Sequence, residues 1–214
     1  MITNLLALAI YALTATKTMA ADYVLGASDT VAERTFSLKD RYPVQSVSDV
    51  FQDNILLTLA YMDGKVPVRG KIDWSEIEKP QTYSFTLQPG QTFAFHNDVL
   101  PEYEGKVTLT MNAHFNGDDG FKSDGWLTGD GVCHLASFMY MVAKDAGLTA
   151  VAPTRHDFAN IPEVPREYGV AIYQAPGKNS GNEAQNLYIT DNLGKPVTFN
   201  FTYDGTSLNV KVID

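Results

Sequence analysis

The sequence predicts an α+β fold, in which an antiparallel β-sheet packs on a central helix that carries Cys133. The chain has 214 residues, 44% of them hydrophobic, so it can enclose one substantial core. Tyr, Phe, Thr and Val are frequent in the strand candidates, as is typical of β-structure. One long apolar stretch between Asp130 and Leu148 has helical rather than strand periodicity. These observations together favour a sheet with few helices.

The helical segments are recognised by apolar residues at spacings of three and four. The first covers residues 46–62, and Gly64 follows closely enough to end it. The second follows Asp130, which we predict to be its N-cap residue. Leu135, Met139 and Val142 lie on its apolar side, and Gly147 stops it.

Most strand candidates lie in the second half of the chain. Residues 197–203 and 207–212 alternate cleanly around Asp204–Gly205, which predicts a hairpin. Residues 82–87 and 91–96, separated by Pro89–Gly90, predict another. Further short strands are predicted in three segments: 107–112, 168–173 and 186–190.

The N-terminal residues predict export. Residues 1–20 contain an apolar run about as long as the core of a signal peptide, followed by small residues suited to cleavage after Ala20. We therefore expect a signal peptide or N-terminal anchor at 1–20, an extended approach segment at 21–35 and one domain at 36–214. The protein is then expected outside the cell or on the outer face of the membrane. A buried N-terminal helix is the alternative.

The charge of the chain excludes some partners. The formal net charge is −9, whereas nucleic-acid binding needs a basic face. The same charge argues against docking on an anionic membrane through electrostatics. A single cysteine rules out an internal disulfide framework.

Cys133 is the residue most indicative of chemistry, because it falls in the first turn of the second predicted helix. Free backbone amides and the positive end of the helix dipole favour a thiolate at such a position, so we expect a lowered thiol pKa. The sequence "GDGVCH" therefore raises the hypothesis of a catalytic nucleophile. A small core residue and a metal ligand are the alternatives.

A cysteine nucleophile needs a general base and a group that orients it. His156 is the favoured base, because the chain returns to the sheet there, and Asp191 or Asn192 could orient it. His134 follows Cys133 directly, so on a helix it points away from the thiol. The order Cys, His, Asp or Asn is the one used by transglutaminase-like and papain-like enzymes. The histidines lack the short paired spacing of zinc sites, so no metal and no cofactor is predicted.

The segment "GDGVCHLASFMYMVAKDAGL" resembles the signature of VanW-family proteins, in which a glycine-rich turn leads into Val/Ile-Cys-Gln and ends in Ala-Gly-Leu. "LQPGQTFAFH" and "LYITDNLGKPVTFNF" resemble two further family segments, in the same order. The resemblance covers roughly residues 36–212. It implies a cell-envelope protein whose natural ligands to consider are peptidoglycan peptides and their precursors.

Three positions depart from the family pattern. His134 stands where the family usually has Gln, Phe158 stands at its usual histidine position, and Gly169 stands at its acidic one. Arg155 matches the family's arginine, and with His134 and Asn192 it is a candidate for ligand binding.

Two hypotheses therefore remain open. The first is a cysteine acyltransferase or amidohydrolase acting on cell-wall peptides, through Cys133, His156 and Asp191. The second is a non-catalytic module that binds wall peptide or an envelope protein.

Overall fold

The computed structural model describes residues 29–67, 70–126, 128–175 and 181–214. The predicted signal peptide at 1–20 and most of the approach segment lie outside these residues. No helix in the described ranges is long and apolar enough to cross a membrane. The described chain forms two four-stranded sheets and three α-helices.

The first sheet is entirely antiparallel and contains both chain termini of the described domain. Its strand order is β1-β8-β7-β2. Tyr203 pairs with Leu208 across the Asp204–Gly205 turn, so the predicted C-terminal hairpin is confirmed. The strands are β1 (Thr30–Ser37), β2 (Gln81–Leu87), β7 (Val197–Tyr203) and β8 (Ser207–Ile213).

The second sheet is shorter and mixed, with the order β4-β3-β6-β5. The pair β3–β4 is parallel, whereas β3–β6 and β5–β6 are antiparallel. The strands are β3 (Thr92–Ala94), β4 (Val107–Leu109), β5 (Thr149–Val151) and β6 (Tyr188–Thr190).

Of the two long helices, the second packs against strands of both sheets and the first packs against the second. The first, α1, covers Gln45–Met62, close to the predicted 46–62. A single turn, α2, covers Trp74–Ile77, and α3 covers Val132–Asp145 and carries Cys133. On α3, Phe138 stacks on Phe36 of β1, with ring centroids 3.9 Å apart.

The two sheets share one core. Phe85 of β2 stacks on Phe93 of β3 with ring centroids 5.0 Å apart, and on Phe199 of β7 at 4.9 Å. All three side chains are buried, so this aromatic stack holds the sheets together by removing apolar surface from water.

Two strand predictions are wrong. The predicted hairpin at 82–96 does not form, because β2 pairs with β7 of the first sheet while β3 pairs with β4 and β6 of the second. Residues 168–173 do not form a strand: Arg155 and Val170 make one isolated bridge there. The mixed α and β composition is confirmed, but in two sheets rather than one. The papain-like arrangement stays a prediction.

Candidate functional site

The start of α3 is built on a glycine turn. The N-cap is Gly131, with φ +99°, and no side chain caps this helix, so the prediction of Asp130 as N-cap is wrong. A Cβ on Gly131 would lie 2.4 Å from the backbone oxygen of Phe51 in α1. Glycine is required here on two grounds, because φ is left-handed and α1 approaches closely.

The Cys133 thiol is engaged by the backbone of Ile172. Its Sγ donates to the Ile172 carbonyl at 3.6 Å and accepts from the Ile172 amide at 3.4 Å. Burial raises the pKa of the thiol to about 11, and the nearby charge of Asp130 acts in the same direction. The sequence led us to expect a lowered pKa. Desolvation outweighs the helix dipole, and the thiol is neutral at physiological pH.

His134 is a core residue rather than a base facing the thiol. It is 4% exposed, and its ring meets Phe51 edge-on with centroids 4.9 Å apart. Burial lowers the pKa of His134 to about 3, and electrostatic interactions with Arg41 and His156 act in the same direction. Within the described chain, its buried Nδ1 has no hydrogen-bond partner.

The structure places His156 near His134. Neither imidazole is hydrogen-bonded to Cys133 in the described part of the chain. The two imidazole centroids are 6.3 Å apart, and the exposed Phe158 covers His156 at 4.0 Å. Burial lowers the pKa of His156 as well. The exposed Arg155 precedes it, so its guanidinium is available on the surface.

Asp191 and Asn192 lie at the opposite end of α3. The Asn192 side chain accepts from the Thr149 amide at 2.5 Å and donates to the Gly147 carbonyl at 3.2 Å. The buried Asp191 accepts from the Leu193 amide at 2.9 Å. These groups are separated from the cysteine by the length of α3, about 20 Å for 14 residues. The structure does not bring Asp191 to His156.

The described ranges contain no group of three or more His, Cys, Asp or Glu side chains arranged to hold a metal ion. At the start of α3, burial thus raises the pKa of the Cys133 thiol and lowers the pKa values of His134 and His156.

A second candidate site, which the sequence did not reveal, is an open groove of about 560 Å³. Four consecutive residues, 107–110, contribute to it. Successive side chains of a strand point to opposite faces, so a groove touching all four runs along the edge of β4. That edge is free, because β4 is the outermost strand of its sheet in the described chain. The other lining residues are Met62, Asn97, Val99, Tyr103, Glu104, Gly105 and Asn112.

The wall of the groove is fixed to the second sheet. Tyr103 stacks on Tyr188 of β6 with centroids 3.9 Å apart, and the Tyr188 hydroxyl accepts from the Leu100 amide at 2.9 Å. The buried Asn186 side chain donates to the Asp98 carbonyl at 2.9 Å. A wall anchored in this way costs little conformational entropy to order when a ligand binds.

The cysteine environment leads to a first prediction. Iodoacetamide is expected to modify folded Cys133 slowly near pH 7, with a rate midpoint near pH 11, because the thiolate is the reactive form. Unfolding in urea should restore the ordinary midpoint of ~8.5. His134→Ala and His156→Ala should leave the folded midpoint unchanged. A midpoint below ~8.5 that one histidine variant abolishes would instead establish an activated thiolate.

The described chain is thus a mixed α and β domain with a backbone-bound cysteine at a helix start and an open groove on one sheet edge. A family model described as "VanW like protein" matches residues 79–213, which include α3 and all seven strands after β1 in the described chain. The match covers well over half of the chain, which therefore belongs to the VanW-like family. No curated protein and no solved structure matches it.

Proposed function

We propose that this VanW-like protein is an exported module of the cell envelope that holds an extended peptide in the groove along β4. Peptidoglycan peptides or their precursors are the proposed ligands. Residues 1–20 act in this proposal as a signal peptide or anchor, which places the domain where such peptides occur.

The observation that supports peptide binding is the free edge of β4 inside the groove. An extended peptide can add to an unpaired edge through backbone hydrogen bonds, while pockets beside the strand accept its side chains. The groove offers apolar contacts from Val99 and Leu109 and polar ones from Asn97 and Asn112. Its volume of about 560 Å³ is within the usual range of ligand sites.

The hydrogen bonding and the raised pKa of the Cys133 thiol favour peptide binding over the cysteine-enzyme hypothesis. A cysteine hydrolase or acyltransferase needs a thiolate or a base within hydrogen-bond reach of the thiol. The only hydrogen-bond partner of the Cys133 Sγ within the described residues is the backbone of Ile172, and burial raises the thiol pKa to about 11. These features support a structural role for the cysteine.

The test blocks the groove and leaves the fold intact. Thr108 is exposed at the centre of β4, and a tryptophan there would fill the groove. Ser84 is also exposed, at the centre of β2, an edge strand of the other sheet, so Ser84→Trp is the matched control. Calorimetric titration would use soluble peptides released from purified cell-wall peptidoglycan.

We expect Thr108→Trp to weaken binding at least about tenfold, equivalent to about 1.4 kcal/mol, and Ser84→Trp to leave it unchanged. Equal affinities for the two variants would contradict binding in the groove. No heat of binding for the unmodified chain with any wall peptide would contradict the proposed function itself.

A further inference from the structure

We infer, resting on the proposed peptide groove, that its ligand carries a free ammonium group and that Glu104 binds this group. Glu104 is the only ionised side chain among the residues that line the groove. Its neighbours there are apolar, amide, hydroxyl or glycine residues. A single carboxylate in an otherwise uncharged groove determines which charge a ligand can bring to it.

Glu104 is not neutralised by the protein. Its exposed carboxylate makes no hydrogen bond or ion pair with any side chain in the described ranges. Lys106 is two residues away and exposed, but it does not line the groove and forms no ion pair with Glu104. Elsewhere, Asp53 and Asp145 are paired with Lys122 and Arg34. The carboxylate of Glu104 is therefore available to a ligand.

The backbone holds Glu104 at a defined place on the rim. It follows the 3₁₀ turn Pro101–Tyr103, and its amide donates to the Pro101 carbonyl at 3.3 Å. The Lys106 amide donates back to the Tyr103 carbonyl at 3.0 Å, with Gly105 at φ +72° between them. Because Tyr103 is itself stacked on Tyr188, the carboxylate is presented by a rigid turn.

The charge of the groove selects among ligand classes. An anionic ligand would meet Glu104 and a chain of net charge −9, with no Lys or Arg in the groove lining to bind it. A neutral glycan can donate hydroxyl hydrogen bonds to a carboxylate, but it brings no positive charge to pair with it. An extended peptide with an amine, on a diamino side chain or at its amino terminus, satisfies both the free β4 edge and Glu104.

The experiment compares peptides that differ in the presence and position of this amine. The probes are a pentapeptide of alanine with a central lysine and blocked ends, the same peptide with Nε-acetyl-lysine, and a pentaalanine with a free amino terminus and a blocked carboxyl end. Titrations use the full chain, its Glu104→Gln variant, and Glu102→Gln as control. Glu102 is exposed in the same turn but does not line the groove.

We expect the unmodified chain to bind the lysine peptide about threefold to fivefold more tightly than its acetylated form at low salt, as for an exposed ion pair. Glu104→Gln should abolish this preference, Glu102→Gln should retain it, and 1 M salt should weaken it. If the free amino terminus gives the same preference as lysine, a terminal amine is an equivalent ligand group.

Each contrary outcome addresses a different claim. Equal affinity for the lysine peptide and its acetylated form would overturn the ammonium inference, while the peptide groove would stand. A preference that persists in Glu104→Gln would overturn the role of Glu104. Failure of all three peptides and of the wall peptides to bind would overturn the proposed function.

Discussion

Replacement of Gly131 by alanine is expected to lower the free energy of unfolding by about 3–4 kcal/mol, because two penalties add. The backbone at Gly131 has φ +99°, which costs an L-residue about 1–2 kcal/mol. The new Cβ would also lie 2.4 Å from the oxygen of Phe51 and 2.9 Å from its Cα. Both contacts are with backbone, so relief requires α1 and α3 to move apart.

Gly125→Ala is the matched control for this change. Gly125 has nearly the same φ, +103°, but nothing lies within 4 Å of its hypothetical Cβ. It therefore carries only the conformational penalty, about 1–2 kcal/mol. Urea unfolding followed by circular dichroism would measure both variants. If Gly131→Ala loses no more stability than Gly125→Ala, close packing of α1 on α3 is not what requires the glycine.

This packing explains the glycines before the cysteine in physical terms. A Cβ on Gly129 would lie 2.8 Å from the backbone oxygen of Phe115, so it too is confined by a neighbouring chain segment. The "GDG" turn thus lets α3 begin against the backbone of α1. The glycines in the most distinctive segment of the family resemblance are thus explained by close approach of neighbouring backbone.

Elements specified by nearby residues could be predicted from the sequence. The helix α1 follows from its apolar spacing, and Gly64 closes it. The β7–β8 hairpin follows from alternation and from the Asp204–Gly205 turn, where the Asp204 side chain accepts from the amides of Thr206 and Ser207. In both elements, the decisive contacts join residues that are close in sequence.

Features that depend on distant pairing could not be predicted. Pro89–Gly90 has the composition of a hairpin turn, yet β2 and β3 separate into two sheets because Phe85 and Phe93 stack across the core. The groove exists only because β4 is left at a sheet edge, which local alternation does not indicate. Likewise, burial raises the pKa of Cys133, although its position in the first turn of a helix would by itself lower that pKa.

The three candidate catalytic residues do not all lie at one end of α3. Proximity of His156 to the first turns of α3 agrees with the expected return of the chain, since its ring is 6.3 Å from that of His134. Asp191 was expected at the same place. It lies beyond the other end of α3 instead, because β6 pairs with β5 through Thr190 and Thr149.

His134 is expected to make the protein markedly less stable in mild acid. Its pKa is about 3 in the folded chain and 6.5 when exposed, so between these values the unfolded state binds a proton that the folded state does not. Stability then rises with pH across this window and is lost as pH falls from about 6.5 toward 3. From pH 7 to pH 4, this one residue should remove about 3 kcal/mol from the free energy of unfolding.

The measurement is urea unfolding at several pH values between 7 and 4, on the unmodified chain and on His134→Gln. Glutamine does not ionise, so the variant should lose less stability over this range. Some acid sensitivity should remain, since burial also lowers the pKa of His96 and His156. His114→Gln, at a half-exposed position, is the control and should keep the steep loss. Parallel curves for the unmodified chain and His134→Gln would mean that His134 is protonated in the fold without cost to stability.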